Sequence, residues 1–139
     1  MRYFCGAARG FDLLCADRVA AARQRGIPVQ LIMAVPCADQ TAKWRPFERE
    51  EHDRLCARAD QVRVLSPAYH EGCMQARNEY MVDRSALCLC YLTRMRGGTL
   101  STVAYAGAVH VPVVNLAIAQ DAEAYADRLL QKHVDELPF

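Results

Sequence analysis

Three short stretches of the chain combine glycine, arginine and hydroxyl side chains in the way that anion recognition requires. They are Gly6-Ala7-Ala8-Arg9-Gly10, the loop from Pro36 to Trp44 with Gln40 and Lys43, and Arg94 to Thr99 with its Gly97-Gly98-Thr99 run. Glycine lets backbone N–H groups approach an oxyanion closely, and a helix starting just beyond adds partial positive charge. Thr99, Ser101 and Thr102 supply hydroxyl donors for such a first turn. Arg9 and Arg77 each offer a planar fork of donors suited to phosphate, with Asn78 beside the second. Taken singly the signals are weak. Gly-Gly-Thr before a helix is more often a cap and turn, and Gly6-x-x-x-Gly10 matches neither the dinucleotide fingerprint nor the P-loop. Convergence of several such loops on one edge is what would make a site.

Each residue has a plainer alternative. Trp44 either stacks on a base or anchors a core or interface. Arg77 either contacts phosphate or pairs with Asp83 at the surface. His70 is an acid–base candidate without a partner nearby in sequence, so a solvated loop histidine is the simpler reading. Arg94 and Arg96 extend a positive rim or a solvated loop, and Tyr69 and Tyr105 are expected to pack with their hydroxyls at the site's edge. The seven cysteines, Cys5, Cys15, Cys37, Cys56, Cys73, Cys88 and Cys90, include no C-x-x-C pair. Structural zinc wants four ligands, usually paired in spacing. Free thiols acting as small buried hydrophobes are expected instead, and no metal.

The elements that must position these residues alternate regularly. Strands are predicted at Arg2 to Cys5, Pro28 to Val35, Val62 to Leu65, Ala86 to Leu92 and Val111 to Leu116. Helices are predicted from about Asp12 to Gln24, Phe47 to Ala57, Met74 to Arg84, Thr99 to Val109 and Asp121 to His133. The second strand is apolar without alternation, which implies burial on both faces. Such alternation predicts an α/β fold of Rossmann-like type: a mostly parallel sheet of about five strands with helices on both faces, its ligands at the C-terminal ends of the strands. With 139 residues and no linker or repeat, the chain is expected to form a single domain.

Composition narrows the function classes. The chain is 53% hydrophobic and 24% charged with a net charge of +1, so nothing in its bulk argues for nucleic acid or a membrane surface. The longest apolar runs, Ile27 to Pro36 and Val109 to Ala119, are too short to span a bilayer. The N-terminus turns polar too soon for a signal peptide, so a cytoplasmic location is expected.

Four stretches carry a resemblance: Gly6 to Asp12; Val35-Pro36-Cys37 with Gln40 and Trp44; Tyr69 to Asp83; and Gly97 to Ala106. In this order they resemble the YpsA-like branch of the SLOG superfamily, which is related to DprA and to the LOG nucleotide hydrolases. The run from Gly72 to Asp83 is the most specific. The resemblance implies a SLOG-type Rossmann-like domain over residues 1–139 and a nucleotide-like ligand of unspecified identity. It places that ligand at Gly6, Arg9, Gly10, Trp44, Arg77, Asn78, Gly97, Gly98, Thr99 and Thr102. Two departures stand out. The family's first strand and its Gly-His-Arg-type loop have no counterpart ahead of Arg2. An unpaired neighbouring strand edge then favours a homo-oligomer. The LOG enzymes also use a glutamate where this chain has Thr102, and a hydroxyl cannot stabilise a developing oxocarbenium ion as a carboxylate does. The expectation is therefore binding or sensing with no catalytic residue. The alternatives are a LOG-type phosphoribohydrolase, drawing on Asp12, Glu71, Glu79 or Asp83, and DprA-like nucleic-acid binding, against which the near-neutral charge stands.

Overall fold

A computed structural model describes residues 1–135. The elements run β1 (Arg2–Cys5), α1 (Phe11–Gln24), β2 (Gln30–Val35), α2 (Pro46–Arg58), β3 (Gln61–Val64), α3 (Cys73–Asp83), β4 (Cys88–Cys90), α4 (Gly98–Ala108), β5 (Val113–Asn115) and α5 (Ala119–Asp135). The fold is α/β, as the alternation predicts. All five strands pair in parallel, but in two sheets, β1-β2-β3 and β4-β5, rather than in one sheet of five. The ladder explains the difference: β1 pairs only with β2 and β4 only with β5, and no described strand links the two sets. The chain divides into two compact units, Met1–Arg84 and a second from Ser85 onward.

In the first unit β2 is the central strand, and its residues from Leu31 to Val35 are all buried. The strand pleat sends alternate side chains to opposite faces. Tyr3, Cys5, Leu31, Met33 and Val35 face one way, onto Leu13, Ala16 and Ala20 of α1 and Leu55 of α2. Phe4 faces the other way and meets Tyr80 of α3 edge-on at 6.4 Å. Helices therefore cover both faces. Asp60 holds the turn into β3, its carboxylate accepting the Leu31 N–H at 2.8 Å and pairing with Arg23.

The second unit is built on a shorter ladder. Cys88 to Cys90 pair with Val113 to Asn115, and beyond them the Asn115 side-chain amide takes over. It accepts from the Leu92 N–H at 3.0 Å and donates to the Leu92 carbonyl at 2.9 Å. That side chain satisfies the backbone groups the next ladder rung would use, so β4 stops short of the predicted Leu92. No described helix is long and apolar enough to cross a membrane.

Candidate functional site

The C-terminal ends of β1, β2 and β3 open into loops that frame one cleft of about 430 Å³. Arg9 enters it from the loop after β1; Cys37, Asp39, Gln40, Lys43 and Trp44 from the loop after β2; Tyr69 from the loop after β3; and Met74 from the first turn of α3. A shallower depression of about 460 Å³ lies at the other end of the strands, among Met1, Arg2, Arg23 and the Ile27–Gln30 segment. In parallel sheets the C-terminal end is where loops converge on ligands, so the first cleft is the candidate.

Its walls are held in place from behind. The β2 loop is a run of tight turns, with Gln40, Ala42 and Trp44 N–H groups donating to the Cys37, Asp39 and Thr41 carbonyls. Asp39 ties that loop to the next by accepting the Tyr69 N–H at 2.8 Å. Pro46 begins α2 at a position where its missing N–H costs nothing. The Glu48 carboxylate reaches back to accept the Arg45 N–H at 3.0 Å and also pairs with Arg9 at 3.4 Å. The Arg45 N–H and, behind it, Arg9 hold the Glu48 carboxyl below its usual pKa. So anchored, the Arg9 guanidinium lies over the Trp44 ring at 5.2 Å, and His52 meets the same ring edge-on at 5.5 Å. Cys37 is fully buried, and its thiol is pushed up to about 11, chiefly by burial, with Asp39 and Cys73 adding to the effect. It is therefore a protonated wall atom at neutral pH rather than a nucleophile.

Gln40 differs from its neighbours. Its Oε1 is shut off from solvent and has no hydrogen-bond partner. Leaving such an acceptor unpaired costs about 1–3 kcal/mol.

A second cluster lies in the same unit but does not line the cleft. Arg77 is 5% exposed. Its guanidinium donates to the Gly6 carbonyl, and its Nε donates to Asn78 Oδ1 at 2.7 Å. Asp12 faces it, accepting the Ala8 N–H at 3.2 Å. Burial raises the Asp12 carboxyl, opposed by Arg77 and by the Ala8 N–H. Burial likewise lowers Arg77, opposed first by Asp12. Gly6 sits against both groups: a Cβ there would fall 2.7 Å from Asp12 Oδ2 and 2.9 Å from Arg77 Nη1. Its role in this loop is to leave room for the Asp12 carboxylate and the Arg77 guanidinium. Ala7, fully buried, carries a left-handed φ of 58°, a strained conformation for a residue with a Cβ. Gly10 ends the loop at φ 84°, where glycine is favoured.

The structure thus brings Gly6, Arg9, Gly10, Trp44, Arg77 and Asn78 together in the first unit, with Arg9 and Trp44 in the cleft. Gly97, Gly98, Thr99 and Thr102 belong to the second unit. Gly97 precedes α4 at φ 92°, and the Thr102 hydroxyl donates to the Gly98 carbonyl at 2.9 Å. Open space surrounds the position a Gly98 Cβ would take. Sequence reading named neither Asp39 nor Met74 as a ligand, and placed Gln40 and Lys43 in a candidate loop without assigning them to the ligand. Only the fold turns all four toward one volume. Among the described residues no three metal-ligating side chains cluster.

A family model described as the YspA SLOG family, designated YpsA, matches residues 2–108, from β1 through α4. The chain belongs to the YpsA SLOG family. No curated protein matches it. Membership accounts for the order of glycine-bearing loops in this SLOG chain and assigns Arg9, Trp44 and the α3 start to segments the family model covers.

Proposed function

We propose that this SLOG domain binds a nucleotide or nucleotide-derived ligand in the cleft at the C-terminal ends of β1, β2 and β3. The observation that carries the reading is the pairing of two cations, Arg9 and Lys43, with two aromatic side chains, Trp44 and Tyr69, around one volume. Cations suit a phosphate, and flat rings suit a base. The Glu48 anchor holds Arg9 ready, so less ordering entropy is lost on binding.

Binding without turnover is the favoured form. The position that carries a glutamate in the LOG enzymes is Thr102 here, and its hydroxyl is committed to the Gly98 carbonyl. Trp44 is the single tryptophan of the chain, so its fluorescence reports on this cleft alone. Titration with nucleoside monophosphates is expected to change that fluorescence saturably, and native mass spectrometry of freshly purified protein to show a bound nucleotide. A flat fluorescence response to every nucleotide, with calorimetry silent as well, would overturn the reading.

A further inference from the structure

We propose that Gln40 selects the ligand of this cleft by reading the edge of its ring, turning its amide carbonyl to accept from an amino group of the base. The inference rests on the binding reading above and adds a specificity residue to it. Gln40 is the side chain of the cleft with a polar atom both buried and unpartnered. Its Oε1 is closed off from solvent with no partner, and no hydrogen bond among the described residues engages the other end of the amide. The backbone beneath it is fixed, since the Gln40 N–H donates to the Cys37 carbonyl at 3.2 Å. The side chain is therefore a rigidly based amide whose terminal torsion nothing in the protein holds. Rotation about that torsion brings either the carbonyl or the NH2 to the cleft at little cost.

A glutamine carbonyl turned into the cleft is complementary to the exocyclic amino group of a purine, the donor half of the contact through which glutamine reads adenine. Gln40 lines the same volume as Trp44 and Tyr69, on which a base would lie, while Arg9 and Lys43 take the anionic end. The amide thus falls to the base edge rather than to the phosphate.

The test uses the full chain and two matched pairs of probes, each differing by one amino group: AMP against purine riboside 5′-monophosphate, and GMP against inosine 5′-monophosphate. For the pair that binds, the amino-bearing member is expected to bind about tenfold tighter, since its amino group is the donor that satisfies the Gln40 carbonyl. Gln40→Leu is expected to bring that ratio close to one by weakening the amino-bearing member. Equal affinity of both members for the wild-type chain overturns the Gln40 assignment and leaves nucleotide binding standing. A preference that persists in Gln40→Leu also overturns it. No binding of any of the four overturns the inference, and the functional reading falls with it only if the wider nucleotide titration is flat as well. The wild-type comparison decides the matter even if Gln40→Leu fails to fold.

Discussion

Two arginines that look alike in sequence do different work. Arg9 is exposed at the cleft and held by Glu48, whereas Arg77 is buried against Gly6, Asn78 and Asp12. Substituting Arg9→Ala removes a surface pair, so stability should change by less than about 1 kcal/mol. Affinity for a nucleoside monophosphate should fall about ten- to hundredfold, and for the parent nucleoside much less. Calorimetric titration of both ligands checks this, and equal losses would show that Arg9 does not meet the phosphate. Arg77→Ala instead leaves the Gly6 carbonyl without its donor and the half-buried Asp12 carboxylate without its neighbouring charge, which should cost about 1–3 kcal/mol of folding stability by denaturant unfolding. A near-normal midpoint would contradict the inward placement of its guanidinium.

At the scale of elements, two joints deserve a number. Leu55 is the fully buried contact of α2 with the sheet core. Leu55→Ala should destabilise by about 2–5 kcal/mol, measured in urea, and loosen the α2 start that carries Glu48. The second joint is Asp60, whose carboxyl is held below its ordinary pKa, chiefly by the Leu31 N–H and then by Arg23. A depressed folded-state pKa means the unfolded chain takes up the proton first. The Asp60 contribution is therefore fully present above about pH 4 and is lost as pH falls through the lower folded value. Asp60→Asn should lower stability at neutral pH and flatten the decline below pH 4; an unchanged acid limb in thermal melts would contradict it.

For the whole molecule the expectation is self-association. Within the first unit β3 is an edge strand, paired only with β2, and Val62, Val64 and Leu65 are exposed at 43%, 51% and 36%. Apolar, unpaired edges favour association, and Arg63, the one charge on this strand, is engaged by Gln61 and Tyr80. Light scattering is expected to give a homodimer or larger species that Val64→Lys weakens. A monomer at high concentration would refute it. Incubation with AMP or GMP is expected to release no free base above background, measured by chromatography. Steady release abolished by replacing one of the chain's carboxylates would show an enzyme.

Much of this was legible in the residues themselves. Strand and helix periods, the glycine stops and the doubly buried run of β2 dictate a parallel α/β fold, because burial and hydrogen bonding repeat at fixed intervals along the chain. The order of the glycine-bearing loops likewise marks the family. What the sequence could not decide is where long side chains end up. Arg77 and Asp12 are distant in sequence, and only the approach of α3 to the β1 loop brings both against Gly6. Gln40 stands in a candidate loop of the sequence, but only the turns after β2 close off its carbonyl oxygen. The division into two sheets is likewise tertiary, since hydrogen-bonded neighbours in a parallel sheet are set by crossovers rather than by local pattern. Local periodicity determines elements; which charge is solvated and which amide is left unpaired depends on packing between segments far apart in the chain.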